Sequence, residues 1–379
     1  MAELVFWLSI SLIVFSYIGY AILILVVSWV VRNPVGRSPI EPKVTYLITA
    51  YNEERTIATK LEQTLTLDYP REKLEIIVAS DGSTDRTDDI VRTFADRSVQ
   101  LLRVEGRVGK TETQNQAVRH ATGDVIIFSD ATTRYEGSAI RNIVRNYADP
   151  NVGAVSGRYE YFNPTGAPIG VGSILYGKYD NFIKTLQTSI KTITGCCGCI
   201  YSVRRDAYKP LPADIISDLC EPLKVLESGY RIVFESDAVA YEETTERTGE
   251  EFRMRVRVIT RGMRGLLFMK ALFNPLRFGF VSFQLFTHKV MRWLVPFFLA
   301  FALLSNLFLV GNPLYDATLA LQAGFYLVAL IGFIAEKRKL SIGPLSIPLY
   351  FVTVNAAIAV AMYRTWKGHK AVTWETVRR

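Results

Sequence analysis

The pattern of apolar and polar positions divides the chain into a leading apolar run, a long mixed middle and an apolar end. From residue 4 to residue 31 there is no charged side chain, and a bilayer crossing needs about 20 apolar residues. The run is too long for a cleaved leader and no basic residue precedes it, so it predicts a retained membrane helix. Three further uncharged runs cover residues 293–315, 317–335 and 340–363. Three in succession, joined by short polar or basic connectors, read as membrane helices rather than as the core of a soluble domain.

The middle of the chain alternates short apolar runs with amphipathic ones. Strands are predicted over 44–49, 74–79, 99–104 and 124–128, and helical periodicity over 53–66, 85–95 and 111–121. Strand–helix alternation implies an α/β domain with a mostly parallel sheet and helices on both faces. Ligands of such sheets bind beyond the carboxyl ends of the strands. Residues 265–289 are apolar but interrupted by Lys270, Asn274, Pro275 and Arg277, which predicts helices lying in the membrane interface. The expected organisation is a membrane helix at 1–34, the α/β domain at 35–264, interfacial helices at 265–290, membrane helices at 291–365 and a basic tail at 366–379.

Charge sets the orientation. Arg32, Arg37 and Lys43 follow the first run, and Lys337, Arg338 and Lys339 separate the last two. Basic connectors stay on the cytoplasmic side, so the middle domain is expected there, on the inner membrane, with the N-terminus outside. The tail conflicts with this scheme. Three C-terminal crossings put it outside, yet it carries Arg364, Lys367, Lys370, Arg378 and Arg379. Either the last run does not cross or the tail breaks the charge rule. The net charge of +8 fits a protein beside anionic lipid rather than one that binds nucleic acid. Cys196, Cys197 and Cys199, three of four cysteines, sit in a segment expected to be reduced, and no second Cys/His pair has zinc spacing. They read as small residues in a tight loop.

Polar clusters close three predicted strands: Ala50-Tyr51-Asn52-Glu53-Glu54, Ser80-Asp81-Gly82-Ser83-Thr84-Asp85 and Ser129-Asp130-Ala131-Thr132. One such cluster is commonly a helix cap, a role open to Ser83 and Asp85. Three converging on one sheet edge favour a nucleotide site, with Asp81 on a base or ribose and Asp130 on a divalent cation that bridges a diphosphate. These segments, in this order over residues 44–262, resemble the family-2 glycosyltransferases of GT-A fold. The resemblance implies donor contacts at Tyr51, Glu53, Asp81 and Asp130, a nucleotide-sugar donor of the UDP type, and Mg²⁺ or Mn²⁺ as cofactor. The family's Asp-x-Asp here reads Asp130-Ala131-Thr132, so Asp130 is left as its one carboxylate at the metal.

Gly106-Arg107-Val108-Gly109-Lys110-Thr111 ends like a phosphate-binding P-loop, but Val104 stands where that motif needs a glycine. The resemblance instead places Lys110 and Asn115 near the donor. Gly195, Cys196 and Cys197 open a stretch similar to the family's acceptor-site loop; a plain tight turn is the alternative. The segment 214–221 resembles the one bearing the catalytic base, which assigns that role to Asp218, with Glu221 in reserve and a helix cap as the bland reading. Among Arg253, Arg255, Arg257 and Arg261, the resemblance places Arg257 and Arg261 at the leaving diphosphate; a basic face against anionic lipid is the alternative. Processive members carry Gln-Arg-x-x-Arg-Trp there, and this chain lacks both the Gln and the Trp.

The expected activity is inverting transfer of a sugar to a polysaccharide or lipid-linked saccharide. Its rivals are a processive synthase that exports its polymer, a non-catalytic subunit that binds nucleotide sugar, and a membrane-tethered ATPase. The sequence leaves sugar, linkage and oligomeric state open.

Overall fold

The computed structural model describes residues 1–338, 340 and 343–374; Lys339, Arg378 and Arg379 lie outside the described residues. The soluble part is built on strands β1 (Val44–Ala50), β2 (Leu74–Asp81), β3 (Val99–Val104), β4 (Val125–Asp130), β5 (Arg134–Tyr135), β6 (Val152–Phe162), β7 (Ile200–Arg204) and β8 (Arg231–Glu243). They form one sheet in the order β3-β2-β1-β4-β7-β6-β8-β5. β1 is buried at every residue, as expected of a central parallel strand covered on both faces.

β1, β2, β3 and β4 pair in parallel, and their register brings the polar clusters level. Thr49 pairs with both Ala79 and Asp130, and Asp81 with Val104. β7 runs antiparallel to β4 and β6. That reversal passes Cys197–Cys199 back across the carboxyl edge just before β7 begins. Helices Ile57–Thr64 and Thr87–Arg92 cover one face, while Lys110–His120 and Ser217–Glu227 cover the other.

Among the described residues four helices are long and apolar enough to cross a membrane: Ala2–Val30, Phe280–Leu307, Pro313–Lys337 and Ile347–Trp366. The second begins at Phe280, well before the uncharged run at 293. The boundary expected at 290 therefore falls inside this helix, which is preceded by short helices at Lys270–Phe273 and Pro275–Phe278. Inside the long helix, polar groups meet protein partners, which lowers the cost of taking them into an apolar setting. Gln187 meets His288 Nδ1 at 3.2 Å, and Arg292 donates to Tyr179 Oη at 3.0 Å.

Helix Ile347–Trp366 packs along helix Thr248–Phe268 of the α/β domain. Arg255 donates to Tyr350 Oη at 2.8 Å, and fifteen residues after Tyr350, Thr365 meets Met263 Sδ at 3.7 Å. Past Trp366 the chain turns at Gly368, φ +74°, and residues 372–374 lie against the loop before helix Lys110–His120. Arg107 bonds the Trp374 carbonyl, and its guanidinium sits 3.9 Å from the centre of the Tyr51 ring. The described part of the tail therefore lies against the α/β domain.

Candidate active site

A cavity of about 380 Å³ opens at the carboxyl edge of the sheet, lined among others by Glu53, Lys110, Asp130, Cys196, Asp218 and Arg257. Asp130 ends β4 and Asp218 lies in the first turn of helix Ser217–Glu227. Lys110, the first residue of its helix, reaches between them and forms an ion pair with Asp130. Burial raises the Asp218 pKa; Lys110 opposes the shift, and Asp130 adds to it. Burial alone would lower the Lys110 pKa, but Asp130 and Asp218 outweigh it and the net shift is upward.

Backbone geometry makes room for Asp218. A Cβ on Gly198 would sit 3.0 Å from Asp218 Oδ2, so a side chain there would crowd the carboxylate. The Cys196 amide donates to the Asp218 carbonyl at 3.0 Å, and the Cys197 amide donates to Ser156 Oγ at 3.1 Å. Both cysteines line the cavity. Gly195 does not, but its φ of +151° sets the bend that starts the loop.

Asp81 departs from the expected placement. It is fully buried and faces the loop rather than the cavity. Its Oδ1 accepts from the Val108 amide at 2.8 Å, the Gly109 amide at 3.1 Å and Thr113 Oγ1 at 3.0 Å. The same contacts explain why Gly106–Thr111 is no P-loop: an internal carboxylate already takes the amides that would hold phosphate. Asn115 is likewise structural, donating to the Leu211 carbonyl at 2.8 Å and accepting from Tyr208 at 2.8 Å.

Arg261 is not part of a solvated basic face. It is 5% exposed and donates to Thr111 Oγ1 at 2.8 Å and the Ile215 carbonyl at 2.7 Å, tying helix Lys110–His120 to the segment before Asp218. Its Nε is buried without a protein partner, and burial lowers its pKa to about 10. Glu221 is 1% exposed, accepts from Tyr201 Oη at 3.0 Å and does not line the cavity. Burial raises its pKa well above the usual range, which favours the protonated form and removes it as a reserve base. Asp85 caps locally, accepting from the Thr87 amide at 3.0 Å. Glu53 accepts from Thr56 Oγ1 at 2.6 Å.

Four features escaped sequence reasoning. Trp374 from the tail lines the cavity and meets the Tyr51 ring. Glu242 also lines it, as does the buried pair Asp180–Lys184, 2.8 Å apart. Lys60, from helix Ile57–Thr64, is buried behind the Asp130 loop. The i, i+4 spacing of Asp180 and Lys184 was a legible signal; nothing local marked the others.

Residues 45–211 match the model of glycosyl transferase family 2. A probable glycosyltransferase of Bacillus subtilis, YdaM, is 30% identical over 300 residues, covering 75% of this chain and 69% of its own. The chain belongs to glycosyltransferase family 2. A second relative of this family-2 glycosyltransferase, the poly-beta-1,6-N-acetyl-D-glucosamine synthase of Staphylococcus aureus, is 28% identical over 230 residues. That match covers 59% of the chain and 55% of the synthase, so the glycosyltransferase spans only about half the length of that relative. Its fold is that of a mannosyltransferase from Pyrobaculum calidifontis solved with GDP-Man and Mn²⁺, with a TM-score of 0.75, 23% identity and coverage of 98% of this chain and 100% of the other. The family-2 glycosyltransferase is therefore a GT-A enzyme with apolar helices suited to a membrane.

Proposed function

We propose that this glycosyltransferase moves a sugar from a nucleotide-sugar donor, of the UDP type, to a hydroxyl of a polysaccharide or lipid-linked saccharide, in one inverting step on the cytoplasmic side of the inner membrane. The observation that carries this reading is the cavity shared by Asp218, Lys110 and Asp130, with a carboxylate suited to proton transfer beside cations suited to a diphosphate.

Asp218 takes the proton from the acceptor hydroxyl as its oxygen bonds to the anomeric carbon. The bond from that carbon to the diphosphate oxygen breaks, and its electron pair leaves with the nucleoside diphosphate. Lys110 and Arg257 offset the charge that develops on the leaving group. Arg261 holds the wall between Lys110 and Asp218. Cys196 and Cys197 border the acceptor side, where a further cavity of about 220 Å³ runs from Asp218 to Tyr17, Trp293 and Phe351 on the apolar helices. An acceptor approaching from the lipid side fits that continuity.

Among the described residues no group of three His, Cys, Asp or Glu side chains could hold a metal alone. Asp130 fits as one oxygen ligand of Mg²⁺ or Mn²⁺, with diphosphate oxygens completing the shell. Such an ion would neutralise phosphate charge, and Lys110 would then share Asp130 with it.

The test is a donor panel: release of nucleoside diphosphate from each sugar nucleotide, with Mg²⁺, with Mn²⁺ and after chelation, for the wild type and Asp218→Asn. Turnover of one donor by the wild type and its loss in the variant are expected. Equal turnover by both would overturn the assignment of the base.

A further inference from the structure

Lys60 is 4% exposed, and its ammonium makes three short hydrogen bonds. It donates to Tyr46 Oη at 2.9 Å, Ser129 Oγ at 2.8 Å and the Thr133 carbonyl at 2.6 Å. An ammonium has three protons, and each meets an acceptor. The rings of Tyr135 and Tyr46 stand 4.7 and 5.3 Å from it, which gives the charge further compensation.

The placement of these acceptors matters. Ser129 and Thr133 flank Asp130-Ala131-Thr132, and both are 1% exposed. The three residues between them line the cavity. One buried side chain therefore grips both ends of the loop that presents Asp130. Burying an ammonium that is bonded to neutral oxygens costs stability, and an apolar side chain of similar length would fill the space at lower cost.

We propose that Lys60 is a positioning residue for donor binding: it fixes the Asp130–Thr132 loop from behind, at a diphosphate site whose Asp-x-Asp element keeps one carboxylate. This rests on the donor reading above.

The test uses the full-length enzyme with whichever nucleotide sugar it turns over. Lys60→Met keeps the length and removes the charge and the three bonds. Its donor KM is expected to rise about tenfold, the scale of one or two lost positioning interactions, and its affinity for the product nucleoside diphosphate to fall in the same ratio. The acceptor KM is expected to hold, while the melting temperature falls, since two buried hydroxyls and a carbonyl lose their donor. Ser129→Ala removes one of the three acceptors and keeps the test decisive if the first variant misfolds; its donor KM is expected to rise about threefold. Donor affinity unchanged in either folded variant overturns the proposal. So does a loss that falls equally on donor and acceptor, since a merely structural lysine would do that. A wild type that binds no nucleotide sugar would instead remove the donor reading itself.

Discussion

The ring of Trp374 meets the ring of Tyr51 edge-on, with centroids 6.0 Å apart and planes at 72°. One residue belongs to the tail and the other follows the first strand, so the contact sets Trp374 beside the loop after β1.

That contact predicts a topology. Single cysteines at Asp96 and at Lys370 are expected to react with a membrane-impermeant thiol reagent from the same side, and one at Gly311 from the other. Labelling of positions 96 and 370 from opposite sides would contradict the contact between Trp374 and Tyr51.

The two carboxylates of helix Ser217–Glu227 are expected to separate on mutation. Asp218→Asn should lower turnover by about 10²- to 10⁴-fold, the usual worth of a general base. Glu221→Gln should stay within about threefold of wild type, because a protonated Glu and a Gln present similar atoms to Tyr201. Its stability profile should change instead. The Glu221 pKa is higher folded than unfolded, so the fold holds a proton that the unfolded chain releases. The wild type therefore loses stability as pH rises from the ordinary glutamate value towards the folded one. Melting curves of Glu221→Gln across that range should lack this slope.

The raised Asp218 pKa sets a pH profile. A base works deprotonated, so kcat/KM should rise with pH through a midpoint above the ordinary aspartate value. Lys110→Met removes a group that lowers the Asp218 pKa and should move the midpoint higher. Asp130→Asn removes one that raises it and should move the midpoint lower. Shifts of the same sign in both variants would contradict the electrostatics described.

Asp81→Ala should cost about 1–3 kcal/mol of stability, since two loop amides and a hydroxyl lose their acceptor. Donor affinity should fall with it, because Lys110 follows directly on that loop. Calorimetric unfolding together with donor titration would check both, and weakened donor binding without destabilisation would place Asp81 on the ligand instead.

Local periodicity carried much of the fold. The first four strands and the helices between them are readable because a parallel core strand is apolar throughout and its helices repeat with period 3.6. The clusters at Tyr51, Asp81 and Asp130 are readable because polar residues must end such strands. β7 escaped notice because its reversal depends on pairing with β4 and β6, far off in the chain. The start of the second long helix at Phe280 was hidden by His288, Lys289 and Arg292, whose partners lie on other segments.

The sequence by itself determined the membrane helices, the α/β domain and the edge at which the site lies, since each follows from the hydrophobicity and spacing of neighbouring residues. Only the tertiary structure decided that Asp81 and Arg261 brace the site from inside, that Glu221 is sealed in the core and that the tail returns to Tyr51. Those outcomes depend on which distant groups meet a buried charge, because burial makes an unpaired charge costly and the partner decides what it does.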